Sequence, residues 1–187
     1  MIEEVGGKHL LILGLVTPKL ADPEGILRKL RSIDDRVQVQ LFKPALVAGP
    51  EHLRFAARNA LDSFRGKSPR SRSLAVELLI YASCQRQISR AIRLLGVEPG
   101  DSQVLVVALS DSREALERLA AETRLVIRGE LNDGLVQIGS RNKFASLLRA
   151  YGVSKREIEA ARFSEESDSD VLKRLIVERS ALLRIRD

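Results

Sequence analysis

Apolar residues recur along this chain with two different periods, and the switches between them mark out the elements. Leu10-Leu-Ile-Leu-Gly-Leu-Val16 is a continuous apolar run closed by Thr17-Pro18, the pattern of a buried strand. Asp22-Pro23-Glu24 then reads as a helix start, with Asp22 as cap and Ile26, Leu27 and Leu30 facing inward. Val37, Val39 and Leu41 alternate with Gln38 and Gln40, which predicts a half-buried strand, followed by a short extended piece from Ala45 to Val47. Pro50 opens a helix whose core stripe is Leu53, Ala56, Ala57, Ala60, Leu61 and Phe64. After a basic loop, 66–73, Ser73 caps a helix with Leu74, Leu78, Leu79 and Ala82 inward. Ser83 reads as a second cap, for a helix burying Ile88, Ala91, Ile92 and Leu95 and ending at Gly96.

Pro99-Gly100-Asp101 is a turn into Val104 to Leu109, a strand apolar on both faces, and Ser112 to Glu122 is a helix. Leu125 to Leu131 and Leu135 to Ile138 flank Asn132-Asp133-Gly134, a hairpin signal. Two helices, 143–150 and 154–162, split at Gly152, and a last helix runs from about Asp170 to Arg184. Between them the acidic, Ser-rich stretch 163–170 reads as a flexible loop. The strands neither alternate regularly with helices nor dominate. The expected fold is α+β: a single domain, 1–187, with a small mixed β-sheet covered by several α-helices.

Composition narrows the chemistry. Hydrophobic residues make up 44% and charged residues 30% of 187 residues, as in a globular protein with a sizeable core. No apolar run is long enough to span a bilayer, so no membrane association is expected. Glu3 and Glu4 stand where a secretory leader carries basic residues, and the expected location is cytoplasmic. One cysteine excludes an internal disulfide and a cysteine-rich zinc site. His9 and His52 lack metal-ligand spacing, so neither a metal nor a cofactor is expected. Gly66-Lys67-Ser68 mimics the end of a phosphate-binding loop, but Leu61 stands where that motif needs Gly and a helix precedes it. Cys84, read as lying near a helix N-terminus, has no base assigned to it by any pattern. No catalytic residue is therefore expected, and replacing Cys84 by Ser should be silent.

Charge is unevenly spread. Between Arg54 and Arg93 nine basic residues face only Asp62 and Glu77, a net of +7 in a chain whose total is +6. Arg86, Arg90 and Arg93 fall on one helical edge. A local field of this kind suits a phosphate-bearing partner as well as a solvated helical surface.

The order and spacing of several segments carry a resemblance. Val37-Gln-Val-Gln-Leu-Phe42 and Val47-Ala-Gly-Pro-Glu-His-Leu53 are followed by Glu77-Leu-Leu-Ile-Tyr-Ala82, Arg86-Gln87-Ile88, Ala91-Ile92 and Gly96. Gly152-Val153, Lys155-Arg-Glu-Ile158 and Val177-Glu-Arg-Ser-Ala-Leu-Leu183 complete the set. Together they resemble the TPRKB family of PRPK-binding proteins, in its archaeal branch. One departure is Cys84, where the resemblance leads one to expect Gly.

The resemblance implies a non-catalytic subunit of the KEOPS complex, which makes N6-threonylcarbamoyladenosine on tRNA. Such a subunit binds and supports the PRPK-type kinase-like subunit, recruits tRNA by its 3′ CCA end, and meets other KEOPS subunits indirectly. The residues expected at tRNA are Lys67, Arg70, Arg72, Ser83, Arg86, Gln87 and Arg90. The expected kinase-binding face is the apolar surplus of the last helix: Val171, Leu172, Leu175, Ile176, Arg179, Leu182 and Leu183. The alternative is a stand-alone RNA-binding protein without a kinase partner.

Overall fold

The computed structural model describes residues 1–66 and 68–183. Its sheet is built from β1 (Ile2–Val5), β2 (Lys8–Val16), β3 (Gln38–Phe42), β4 (Gln103–Ser110) and β5 (Glu130–Leu131). The order is β1-β2-β4-β3, with β5 also on β2. The fold is α+β as expected, but every pairing among these strands is antiparallel rather than mixed. The reason is topological. β2 and β3 run the same way, joined through α1 (Pro23–Arg31), and β4 inserts between them and opposes both.

β4 has apolar residues at every interior position, and the period of two divides them between two helical layers. Val104, Val106 and Ala108 join Leu11, Leu13 and Leu15 under α1 and α5 (Arg113–Ile127). Leu105, Val107 and Leu109 face α2 (Pro50–Arg65), α3 (Leu74–Ser83) and α4 (Ile88–Leu95). A third cluster lies outside that layer. There α6 (Arg141–Tyr151), α7 (Lys155–Ala161) and α8 (Asp168–Leu182) pack around Leu147, Ile158, Val171, Leu172 and Ile176. α8 lies on α2 and α3, so these two helices are covered on both sides.

Four local expectations give way to tertiary contacts. The Asn132-Asp133-Gly134 segment is not a hairpin. Its upstream residues extend α5 to Ile127, and Asp133–Val136 is a 3-10 turn in which Asn132 accepts from the Gly134 amide at 3.1 Å. The strand end exposed beyond β1 explains this: Asn132 N–H donates to Gly14 O at 2.8 Å, and Leu131 pairs Leu15. A Cβ on Gly14 would lie 2.2 Å from Asn132 O, so only glycine admits this close approach. The piece at 45–47 contains a 3-10 turn, Pro44–Leu46, instead of extended chain. Ile88 and Ile92, expected in the core, are exposed. The acidic run divides at Ser167, whose side chain caps α8, so that Asp168 and Asp170 lie in its first turn, where the helix dipole favours them.

Candidate nucleic-acid interface

The site begins where α3 stops. Cys84 adopts the left-handed conformation, φ +53°, and the Gln85 amide donates back to Ile80 O at 3.3 Å. This is the helix stop that glycine usually provides. The Gly expected at 84 thus has a conformational reason, and Cys84 meets the same demand with a side chain attached. Its thiol packs inward, 3.6 Å from Ile176 O. It sits at the C-terminal end of α3, not near a helix N-terminus, and burial pushes its pKa up to about 12. A protonated, half-buried thiol is a poor nucleophile. Ser83, read as a cap, is instead the last residue of α3, fully buried, with its hydroxyl donating to Ile80 O at 3.0 Å.

Beneath this turn lies a fixed polar hub. The Ala48 amide donates to His52 Nδ1 at 3.1 Å, so the ring proton is on Nε2, which donates to Ala82 O at 2.7 Å. The Tyr151 hydroxyl lies 3.0 Å from the same carbonyl and 2.9 Å from Leu46 O. Full burial lowers the His52 pKa to about 4, keeping it neutral, and raises that of Tyr151. Together the two side chains satisfy a carbonyl that the end of α3 would leave bare.

Above the hub opens a cleft of about 680 Å³ between the 83–90 segment, the end of α6 and the end of α8. It gathers Ser83, Arg86, Gln87 and Arg90 from the expected RNA set, with Gln85, and from α8 it adds Arg179, Leu182 and Leu183. Among the described residues no carboxylate lines it. Arg179, expected on a kinase face, donates to Tyr151 O and to Glu157 Oε1, the latter at 2.7 Å, and so fixes α8 against the α6–α7 corner.

The other expected RNA residues are placed differently. Arg70 reaches Leu183 O at 2.8 Å and Tyr81 Oη at 3.3 Å, which sets it beside the cleft at the end of α8. Arg72 is exposed in the turn before α3 and does not line the cleft; Lys67 lies outside the described residues. Arg54, Arg58 and Arg65 are diverted to Glu3 and Asp62, so the basic field in space is narrower than the linear count.

Sequence reasoning missed Glu77 as an organiser. It is fully buried and accepts from Ser63 Oγ at 3.1 Å, Arg70 N at 3.2 Å and Ser71 N at 2.8 Å. The signal was present: one acid within the apolar run 74–82.

The expected kinase face on α8 needs correction. Val171, Leu172 and Ile176 are fully buried in the third cluster, and Leu183 is buried too, so none of the four is open to a partner. Leu175 is half-buried, and Leu182 alone among the apolar residues of that set is exposed, at 40%. The stripe is wide because α8 meets α2 and α3 on one flank and α6 and α7 on another.

Comparison with known proteins decides the family: the profile described as Kinase binding protein CGI-121 matches residues 19–184. The chain belongs to this family. The Regulatory protein Cgi121 of Methanocaldococcus jannaschii is 28% identical over 102 residues, 54% of this chain and 62% of that protein. The match thus spans less than two thirds of the relative. The family is described by kinase binding, and this relative by regulation.

Proposed function

We infer that the chain is a non-catalytic KEOPS subunit that binds and supports the PRPK-type kinase and presents tRNA, held by its 3′ CCA end, for N6-threonylcarbamoyladenosine formation elsewhere in the complex. The kinase half rests on the family. The RNA half rests on one observation: a cleft with Arg86 and Arg90, the side-chain amides of Gln85 and Gln87, and no lining carboxylate among the described residues, closed on its α8 side by Arg179, which is paired with Glu157. Guanidinium groups neutralise phosphates and stack on splayed bases, and side-chain amides read base edges, the combination a single-stranded 3′ end requires. The buried hub of His52 and Tyr151 holds the cleft floor in place before RNA arrives.

The test is fluorescence anisotropy with intact tRNA and with tRNA lacking its CCA end. Arg86→Glu and Arg90→Glu should each weaken binding of intact tRNA by about tenfold or more and reduce the salt slope, while truncated tRNA should bind weakly to every variant. Equal affinity of wild type and both variants for intact tRNA would overturn this reading.

A further inference from the structure

We propose that the flank of α4 carrying Ile88 and Ile92 is the docking face for the kinase partner, back to back with the wall of α4 that faces the RNA cleft. The proposal rests on the kinase-binding reading above and moves its face from α8 to α4. Successive residues of an α-helix are turned by about 100°. Ala91 and Leu95, fully buried, therefore define the core side of α4, with Ile88 and Ile92 on one flank and Arg90 on the other, and Gln87 caps the helix at its start. The structure bears this out: Gln87 and Arg90 line the cleft, while Ile88 and Ile92 do not and are 39% and 48% exposed.

Two isoleucines one turn apart are more apolar surface than this helix's own core accommodates. Every other exposed large hydrophobic among the described residues stands alone on its element, Phe55 on α2, Leu125 on α5 and Leu182 on α8 included. A paired aliphatic strip is the kind of anchor that a partner's pocket desolvates. Charge selects the partner. Of the three arginines between Gln85 and Leu95, Arg86 and Arg90 line the cleft, while Arg93 lies on the outer side of α4 next to Ile92, and the segment has no acid, so the charge bordering the strip is basic. A second copy of this chain would bring arginine against arginine. RNA bases gain little from aliphatic side chains, which offer no flat face for stacking. A protein face with an apolar centre and an acidic rim fits, and the partner that this family binds is a kinase.

The geometry makes α4 a partition with a protein on one flank and a nucleic-acid end on the other. Ile92→Glu and Ile88→Glu should each weaken binding of the small kinase from the source genome by about 30-fold or more in calorimetry. Intact tRNA should bind these variants within about threefold of wild type, and both should stay folded with only a small drop in thermal midpoint, because neither side chain is in the buried core. Arg90→Glu should show the converse pattern, and Phe55→Glu should leave kinase affinity unaltered. Kinase affinity preserved in both isoleucine variants, with wild type binding, overturns the face alone. Failure of the wild type to bind the kinase overturns the face and the reading beneath it together. A wild-type dimer dissolved by Ile92→Glu without loss of kinase affinity assigns the strip to self-association and also overturns it.

Discussion

Glu77 offers the sharpest test of how the basic loop is held. Its carboxylate is fully buried and receives a hydroxyl and two backbone amides from the 63–71 segment. Glu77→Gln keeps the size and one acceptor oxygen but turns the other acceptor into a donor that faces donors. One or two of the three bonds are lost, and at about 1–3 kcal/mol for each buried group left unpaired the expected destabilisation is about 2–4 kcal/mol. Glu77→Leu removes all the acceptors and should cost more than the glutamine variant, because the loop amides remain buried with nothing to receive them. The loss is local as well as global. Arg70 is positioned by its own amide on Glu77, and its guanidinium bonds Leu183 O beside the cleft, so loosening the loop should also release the end of α8. Urea unfolding gives the stability change from the midpoint at constant slope. Native-state amide exchange at Ser71 gives the local opening. A glutamine variant within 0.5 kcal/mol of wild type, with Ser71 exchange unchanged, would refute the assignment of Glu77 as organiser of the loop.

Three further outcomes follow from the hub and the turn. His52 has its pKa lowered from 6.5 to about 4, so the unfolded chain takes up a proton between these values and the folded one does not; the neutral ring's contribution is complete above pH 6.5 and is lost as the pH falls towards 4. That span is worth on the order of 3 kcal/mol, and unfolding at pH 4.5 and 7.5 should show it in wild type but not in His52→Gln; equal slopes would sink the idea. Cys84 should react with iodoacetamide at pH 8 far more slowly than in the unfolded chain, since its pKa is pushed up to about 12 by burial, and modification at the rate of a free thiol would contradict its placement. At the same position Cys84→Val should cost about 2 kcal/mol, because a β-branched residue is poorly suited to φ +53°, whereas Cys84→Gly should stay within about 1 kcal/mol of wild type; denaturant midpoints decide.

The linear count of charge and its spatial outcome differ instructively. Nine basic residues fall between Arg54 and Arg93, yet among the described ones only Arg86 and Arg90 line the cleft, and α8 adds Arg179, already paired with Glu157. α2 turns its arginines toward β1 and toward its own Asp62, where they neutralise acids. Pairing of this kind depends on which surfaces meet, and charge spacing along the chain carries no record of it.

Local patterns were enough for much of this protein. The apolar runs of β2 and β4, the alternation in β3, Asp22 as the cap of α1, Pro50 at the start of α2, the start of a helix at about Ser112 and the break at Gly152 are all written in neighbouring residues, because periodicity and capping act within one or two turns. The α+β class follows from them. Tertiary contact alone decided the rest. Strand direction depended on β4 inserting between β2 and β3, and the supposed hairpin at 132–134 yielded to the open edge of β2. α8 reads as surplus apolar surface until it is seen packed on more than one flank, while α4 reads as an ordinary core helix until Ile88 and Ile92 are seen facing outward. Burial is a property of what lies opposite a side chain, and its own neighbours in sequence cannot say what that will be.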